Sequence, residues 1–520
     1  MRRRRFLGVA MGVTVGTLAA PGILARERRA ARQSAWDLIV IGAGTAGMPA
    51  AIFAAQQGAR VLVIEKTPVL GGTLDRSSGQ IAASRTVFQQ AKGIIDSPDA
   101  HFADNMRING WSSDPALTRL FVDEAPETVN WLAANGYTVL DGDPVKSKGH
   151  EPFLTPRYQS GHEAGRSILK AMQAPFDAAV ASGKVVVKLE TSAVELIQDV
   201  GGAVLGVLTE SAGASGAPVR EEHFGRSVLI ATGGCAANPR MFEDLHGTPL
   251  TAEVARPSSQ GQGLILALGA GGVLRGGEKY TPLYGTLLES DNYPSPSQTS
   301  FTHDPARRKP WEIHVNARGE RFVREDHPNF EFREHALAAQ PGMRFWVVLD
   351  SAMFEQAPPF LGRWNAAKLR EALDYGNPMF ARGDDLATLA FKAGVDPRGL
   401  VRTVAAFNGA LAAGATDPFG REHRPLPIVK PPFLAVRITG WTVMSFAGIA
   451  VDGSLRVQRA DGSTIPNLYA AGEALGAGAT SGAAYTNGAM VTPALSFGRW
   501  LGQRALELGA PAGARSPGSA

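Results

Sequence analysis

A turn with three glycines is the clearest candidate for chemistry in this 520-residue sequence. Gly42, Gly44 and Gly47 have the spacing GxGxxG, directly after the apolar run 37–41 and directly before a helical pattern over 48–57. Gly42 permits the tight turn, Gly44 lets a pyrophosphate approach the backbone, and Gly47 lets helix and strand pack closely. The helix start also offers free N–H groups and a positive dipole to phosphates. The pattern predicts a dinucleotide site.

An acidic residue after the next apolar run supports this prediction. The run 60–64 is typical of a second strand, and Glu65 follows it, where a carboxylate accepts hydrogen bonds from the hydroxyls of an adenosine ribose. Three more glycine-bearing segments lie at 71–79, 227–234 and 468–473. Because each lets the backbone approach a long ligand, we expect FAD rather than NAD.

The order of these motifs resembles that of the fumarate reductase/succinate dehydrogenase flavoprotein superfamily, which includes fumarate and urocanate reductases and 3-ketosteroid dehydrogenases. The resemblance implies that Glu473, in an AAGE motif, contacts the flavin ribityl chain. It also implies that a helix beginning near 487–489 points its N-terminus at the flavin. Where one branch of the family carries a histidine that binds FAD covalently, this chain has Thr73, so we expect FAD to be bound non-covalently.

These motifs and the resemblance predict FAD contacts spread over the whole chain. The predicted contacts are Gly42, Gly44, Thr45, Ala46, Gly47, Glu65, Lys66, Gly72, Thr73, Ser78, Gly79, Ala193, Thr232, Gly233, Gly234, Gly472, Glu473, Gly488, Ala489 and Met490.

Three positions depart from the pattern with which fumarate reductases bind two carboxylates. Asn329 stands at the family spacing of the proton-donating arginine, and Trp441 stands near the place of a substrate-binding histidine. Tyr485 takes the place of a carboxylate-binding arginine. Because buried carboxylates without cationic partners are costly, the sequence disfavours a small dicarboxylate substrate.

The replacements resemble the ketosteroid dehydrogenases, in which tyrosines act as acid and base. This resemblance implies that Tyr485 and the N–H of Gly488 or Ala489 polarise a ketone, with Tyr280 or Tyr284 as acid or base. Either of the last two tyrosines is alternatively a packing residue. The predicted reaction dehydrogenates a carbon–carbon bond next to the carbonyl of a cyclic ketone or steroid-like substrate, or reduces the enone. The α-hydrogen leaves as a proton and the β-hydrogen as a hydride to FAD.

Two other functions stay open. One is a reductase of an unsaturated acid, of fumarate or urocanate type, with Arg333 as proton donor. The other is a flavin-bearing electron-transfer or binding protein without its own substrate, against which the large segment 276–435 argues. The sequence carries no haem or iron–sulfur motif, so we expect electrons to pass to a separate quinone, cytochrome or oxygen.

The elements that position these residues indicate an α/β protein with a Rossmann-like FAD-binding domain. We expect this domain to be discontinuous, at 36–275 and 436–508, with an inserted α+β cap or substrate domain at 276–435. Within the cap, 313–323 predicts a hairpin and 386–413 has helical periodicity. The segment 509–520 is typical of a disordered tail.

Charge and cysteine content narrow the possible partners and location. Arg2 to Arg5 supply four of the net +4 charges, so the rest of the chain is neutral and no nucleic-acid partner is expected. The first 30 residues resemble a twin-arginine export signal, with Arg3 and Arg4 as the pair; an ordinary secretory signal or an uncleaved anchor is the alternative. We expect a periplasmic or extracytoplasmic protein without stable membrane insertion. Cys235 is the only cysteine, and no metal-ligand spacing is found.

Overall fold

The apolar runs beside the glycine turn lie at the centre of an eight-stranded sheet in the computed structural model, which describes residues 36–213 and 216–509. Trp36–Ile41 pairs in parallel with both Val61–Ile64 and Pro218–Ile230. The sheet order is Arg456–Gln458, Thr464–Ala470, Pro218–Ile230, Trp36–Ile41, Val61–Ile64 and Val185–Lys188; Thr191–Gln198 and Val204–Ala212 join through Pro218–Ile230. Four strands of this sheet are buried at their C-terminal ends, as expected of a parallel sheet that is covered on both faces. They are Trp36–Ile41, Val61–Ile64, Pro218–Ile230 and Thr464–Ala470.

Two helices pack closely enough at the glycine turn to require glycine. Gly47–Gln56 follows the turn, and Val491–Gln503 comes from the far end of the chain. A Cβ on Gly498 would lie 2.1 Å from the carbonyl oxygen of Ala46, and one on Gly502 would lie 2.5 Å from that of Ala50. The last helix is thereby held against the start of the first.

A second sheet of seven strands has its own apolar core. Its order is Ile313–Val315, Arg344–Asp350, Phe433–Trp441, Leu283–Leu288, Ser295–Ser300 and Ala252–Glu253, with Phe380–Gly383 also paired to Phe433–Trp441. Phe345, Val347 and Ile438 are among its fully buried side chains. The sheet is antiparallel except where Ser295–Ser300 meets Ala252–Glu253.

The remaining elements are two short ribbons and the connecting helices. The ribbons pair Gln80–Ala82 with Tyr158–Ser160, and Leu274–Arg275 with Gly448–Ile449. The helices are Val87–Gln90, Pro98–Ile108, Pro115–Ala134, Gly165–Ala181, Pro239–His246, Gln262–Gly269, Phe330–Ala338, Ser351–Gln356, Ala366–Asp374, Leu386–Ala393, Pro397–Ala412 and Ala477–Thr480, with 3₁₀ turns at Gly277–Lys279, Pro341–Met343 and Gly472–Leu475.

The α/β fold class is confirmed, and the structure gives the bounds of two locally predicted features. The predicted hairpin at 313–323 is present in a short form: the N–H of Asn316 donates to the carbonyl oxygen of Glu320, and Val315 forms an antiparallel bridge with Arg321. Ile313–Val315 also pairs with Arg344–Asp350. The guanidinium of Arg321 pairs with Glu325 and Asp417. The predicted helical stretch 386–413 is two helices, separated at Gly394, which has a left-handed φ of 72°.

The predicted domain boundaries stay a prediction. The strand Phe433–Trp441 runs across the predicted boundary at 435/436, and Ala252–Glu253 contributes to the second sheet from before the boundary at 275/276. The predicted export signal and residues 510–520 of the predicted tail lie outside the described residues. Within the described residues, no helix is both long and apolar enough to span a membrane.

Candidate active site

The glycine turn forms one end of a cavity, here named the glycine-turn cavity. At Gly42 the backbone has φ +100°, and a Cβ would lie 2.5 Å from the carbonyl oxygen of Ala231. The Cα atoms of Gly44 and Gly72 also lie so close that a Cβ on Gly72 would come within 2.8 Å of Gly44. Glycine at these positions keeps the cavity open to the backbone.

Glu65 and Lys66 lie in this cavity at the end of the second strand. One carboxylate oxygen of Glu65 accepts from the N–H of Ala43 at 2.9 Å, and the other accepts from the N–H and hydroxyl of Thr67. The oxygen that accepts from Ala43 has a second lone pair for a ribose hydroxyl. Lys66 donates to the carbonyl oxygen of Ser258 at 2.6 Å.

Most predicted FAD contacts line this cavity. They are Gly42, Gly44, Thr45, Ala46, Glu65, Lys66, Gly72, Thr73, Ala193, Thr232, Gly233, Gly472 and Glu473. A second cavity, here named the Tyr485 cavity, adds Ser78, Gly488, Ala489 and Met490. The two cavities share Thr45, Thr73, Arg256 and Glu473. The combined space therefore extends from Glu65 to the start of the last helix, as an elongated dinucleotide requires.

Three predicted contacts line neither cavity and instead pack the backbone around it. A Cβ on Gly47 would lie 1.8 Å from the carbonyl oxygen of Gly42, so Gly47 holds helix and turn together. Gly79 packs against Ala164, and Gly234 against the hydroxyl of Ser445.

Two polar groups in the shared region fit a ligand rich in hydroxyls. The hydroxyl of Thr232 is buried without a hydrogen-bond partner among the described residues. Glu473 has no cationic partner there and accepts from the N–H of Ser445 at a long 3.4 Å. Burial raises the pKa of Glu473 to about 7. Hydroxyls of a ribityl chain would satisfy both groups, so the residues present fit FAD.

The start of the last helix offers N–H groups to the Tyr485 cavity. Gly488 has φ +76°, and a Cβ there would lie 2.5 Å from the nitrogen of Ala82, so this turn also needs glycine. The N–H of Ala489 donates to the carbonyl oxygen of Thr486. The N–H groups of Gly488 and Met490 have no acceptor among the described residues. Gly488, rather than Ala489, is therefore free to bind a ligand oxygen.

The wall of the Tyr485 cavity is largely apolar. Leu283, Trp441, Val443, Met444 and Met490 contribute to it. Two arginines also line the cavity. Arg76 belongs to the glycine-bearing segment 71–79, and Arg256 contacts this segment through its ion pair with Asp75.

Tyr485 lies in this wall, but its hydroxyl already has a partner. It donates to the carbonyl oxygen of Thr281 at 2.9 Å. Burial raises the pKa of Tyr485 well above its ordinary value, and the charge of Glu334 adds to this. Tyr280 does not line the cavity; it packs edge-on against Phe446 and Phe242, and burial raises its pKa.

The structure does not bring Tyr284 and Arg333 into the cavity. Along the strand Leu283–Leu288, Leu283 faces the cavity, so Tyr284 points to the opposite side, where its hydroxyl bonds to His314 at 2.9 Å. The guanidinium of Arg333 stacks on Tyr284 and Phe330 and donates to the carbonyl oxygens of His303 and Glu325. Neither placement supports the predicted role in proton transfer.

The sequence patterns gave no sign of one residue that lines the cavity, His150. Its ring lies 5.4 Å from that of Tyr485, and its Nε2 lies 3.3 Å from a carboxylate oxygen of Glu334. Glu334 is 184 residues away in the sequence, so no local spacing links the two.

Comparison with known proteins agrees with this geometry. A family model described as "FAD binding domain" matches residues 37–490. A "Fumarate reductase (cytochrome)" of Shewanella frigidimarina is 28% identical over 92% of this chain and 79% of its own length. A "3-oxosteroid 1-dehydrogenase" of Mycobacterium tuberculosis is 26% identical over 89% of this chain and 97% of its own.

A solved structure shows the same fold. The 3-ketosteroid Δ1-dehydrogenase from Sterolibacterium denitrificans superposes with a TM-score of 0.69 at 20% identity, over 91% of this chain and 99% of its own. Since the family match spans most of the residues that build both sheets and both cavities, the chain belongs to the FAD binding domain family and is an FAD-dependent oxidoreductase that acts on carbon–carbon bonds.

Proposed function

We propose that this enzyme dehydrogenates a carbon–carbon bond next to the carbonyl of a cyclic ketone or steroid-like substrate, or reduces the corresponding enone. The observation that carries the proposal is the apolar wall around Tyr485, formed by Leu283, Trp441, Val443 and Met444. A dicarboxylate placed against this wall would lose its hydration there, and the two arginines of the cavity, Arg76 and Arg256, could pair with one carboxylate only, whereas a ring system would gain from burial.

When bound, FAD would supply the two-electron chemistry, accepting or donating hydride. The chain's own contribution is to bind the carbonyl and stabilise the negative charge that develops on its oxygen. The free N–H of Gly488 is one donor, and the hydroxyl of Tyr485 is the other once it turns from Thr281 to the substrate. Because burial raises the pKa of Tyr485, the hydroxyl keeps its proton at neutral pH and serves as a donor.

The test is anaerobic mixing of the oxidised protein with cyclohexanone, 4-androstene-3,17-dione and succinate, while flavin bleaching is followed. We expect bleaching by a ketone, and Tyr485→Phe should slow it by about 100-fold while FAD stays bound. Tyr137→Phe is the matched control, since Tyr137 is buried and its hydroxyl has no partner among the described residues. Unchanged bleaching in the Tyr485 variant would contradict the role of this residue.

A reductase of an unsaturated acid is the second candidate, favoured by the likeness to the Shewanella frigidimarina fumarate reductase. The two arginines of the cavity, Arg76 and Arg256, are the cations that could bind one carboxylate. The buried position of Arg333 does not support it as the proton donor. Reoxidation of the dithionite-reduced flavin by fumarate or urocanate, but not by 2-cyclohexenone, would favour this candidate.

We also propose that FAD is bound non-covalently. Thr73, which lines both cavities, stands where the family members that bind FAD covalently have the histidine that carries it. Acid precipitation should therefore release all of the flavin into the supernatant.

Export by the twin-arginine route is proposed from Arg3 and Arg4 in the N-terminal segment. Replacing both with lysine should leave the protein in the cytoplasm. A quinone, a cytochrome or oxygen is the proposed electron partner outside it.

A further inference from the structure

We propose that His150 is the general acid and base that moves the substrate's α-proton, and that Glu334 positions it. The proposal rests on the proposed function and names the proton-transferring group of the same site.

The position of His150 leaves one ring nitrogen for the substrate. The side chain lines the Tyr485 cavity, and its ring lies 5.4 Å from that of Tyr485, tilted by 35°. Nε2 lies 3.3 Å and 3.4 Å from the two carboxylate oxygens of Glu334. Nδ1 has no hydrogen-bond partner among the described residues. A ring held through one nitrogen and open at the other is the arrangement that general acid–base catalysis requires.

Glu334 differs in its partner from the buried carboxylates that pair with arginine. Glu312, Glu325 and Asp104 each pair with arginine, which stays charged at any physiological pH. The side chain of Glu334 is 1% exposed, and within the described residues its ion-pair partner is His150 alone. Because a histidine can lose its charge near neutral pH, His150 stabilises the buried carboxylate less reliably than an arginine would. The same property lets the ring take up and release a proton.

The loop that carries His150 is held in place by the helix that carries Glu334. A Cβ on Gly149 would overlap the ring of Phe330, and the carbonyl oxygen of Gly149 accepts from the N–H of Phe330 at 3.0 Å. Asn329, which caps the helix Phe330–Ala338, also donates to Glu151 at 2.7 Å. The contacts on both sides of His150 fix its ring relative to Glu334.

Among the described residues, no other tyrosine, histidine or carboxylate that lines the cavity fits the role. Burial raises the pKa of Tyr485 and of Tyr158, so neither is a base near neutral pH. Glu473 lies where the two cavities meet and is expected to bind the ribityl hydroxyls of FAD. For His150, burial lowers the pKa, but the charge and hydrogen bond of Glu334 outweigh this, and the pKa lies above its ordinary value. The other charged or titratable groups near His150 are Glu331, Arg333, His303 and Tyr485.

The proton and electrons balance as follows in the oxidative direction. Neutral His150 takes the α-proton at Nδ1, and the electron pair of that C–H bond becomes the new π bond. The β-hydrogen leaves with its own electron pair for bound FAD. In the reductive direction, the His150 imidazolium returns the proton to the α-carbon, and Glu334 stabilises the imidazolium in both cases.

The first test needs no substrate. Diethyl pyrocarbonate modifies neutral imidazole, so the pH dependence of His150 modification in the FAD-loaded enzyme, followed by peptide mass spectrometry, gives its pKa. We expect Glu334→Gln to lower this pKa by about 1 unit or more, because a neighbouring carboxylate no longer favours the charged ring. Glu331→Gln, on the same helix but paired with His335, is the matched control and should have a smaller effect. An unchanged pKa in the Glu334 variant would overturn the positioning role.

The second test separates catalysis from structure with a double-variant cycle. His150→Gln leaves Glu334 buried without a partner, which is expected to destabilise the fold, so the double variant with Glu334→Gln is measured beside it. We expect the double variant to regain the melting temperature but not the rate, which should stay about 100-fold or more below wild type with the ketone that bleaches the flavin. His327→Gln, outside the cavity, is the control. In Glu334→Gln, the rising limb of the pH–rate profile should move to lower pH.

The outcomes distinguish this proposal from the proposed function. If a ketone bleaches wild type and the double variant equally fast, His150 is not the acid and base, and the proposed function stands. If no ketone bleaches wild type, both proposals fall.

Discussion

At the scale of single residues, the site depends on positions where a side chain cannot be added. Gly42 is the sharpest case, because its left-handed φ and its contact with Ala231 both exclude a Cβ. We predict that Gly42→Ala abolishes FAD binding, measured as flavin absorbance per protein after gel filtration. Gly58→Ala is the matched control: its φ of +86° brings the same strain, about 1–2 kcal/mol, but no atom lies within 4 Å of the added Cβ. FAD retained in the Gly42 variant would contradict this prediction.

Residues whose chemistry depends on local spacing could be predicted from the sequence, and those that depend on distant partners could not. Gly44, Glu65 and Glu473 follow strands and lie in the cavities as expected. His150 sits in a loop without a recognisable pattern, and its role depends on Glu334, which the fold brings to it. For a related reason, the sequence did not distinguish Tyr485, which lines the cavity, from Tyr284, which does not. The side of the sheet to which a strand residue such as Tyr284 points depends on the register of the strand.

At the scale of elements, the packing of the first and last helices positions the turn. We predict that Gly498→Ala pushes the helix Val491–Gln503 away from the carbonyl of Ala46, which costs about 1–3 kcal/mol of stability and weakens FAD binding about 10-fold. Fluorescence titration of the apoprotein with FAD measures the affinity. Gly409→Ala provides the contrast, because nothing surrounds its Cβ in the helix Pro397–Ala412; it should stabilise by about 0.5–1 kcal/mol. Equal effects of the two substitutions would show that the helix contact does not matter.

Elements were predictable where an apolar run, a glycine and a strand coincide, as at 37–42 and 468–472. The predicted hairpin at 313–323 forms only in a short version, with the turn at 316–319 and one bridge from Val315 to Arg321. The sequence did not indicate the main partner of its first strand. Arg344–Asp350, beyond the reach of a local pattern, pairs with Ile313–Val315, while Arg321 is held by two buried carboxylates.

At the scale of the whole molecule, the glycine-turn cavity and the Tyr485 cavity are lined by residues from distant parts of the chain, among them Gly42 and Met490. Loss of FAD should therefore affect the stability of the entire fold, and Glu473 gives this effect a pH dependence. Burial raises its pKa to about 7 in the folded protein, from an ordinary value of 4.5. An acid whose pKa is raised by folding stabilises the fold only while protonated, so its contribution is complete below pH 4.5 and is lost as pH rises to about 7.

We predict that the apoprotein loses up to about 3 kcal/mol of unfolding free energy between pH 5 and pH 8 through this residue, and that Glu473→Gln removes the loss. Urea unfolding of both apoproteins across this range measures it, because the difference between them isolates Glu473 from the titrating histidines. A difference that does not vary with pH would contradict the prediction. Added FAD should restore stability more at pH 8 than at pH 5, because its hydroxyls donate to the carboxylate that is otherwise left buried and charged.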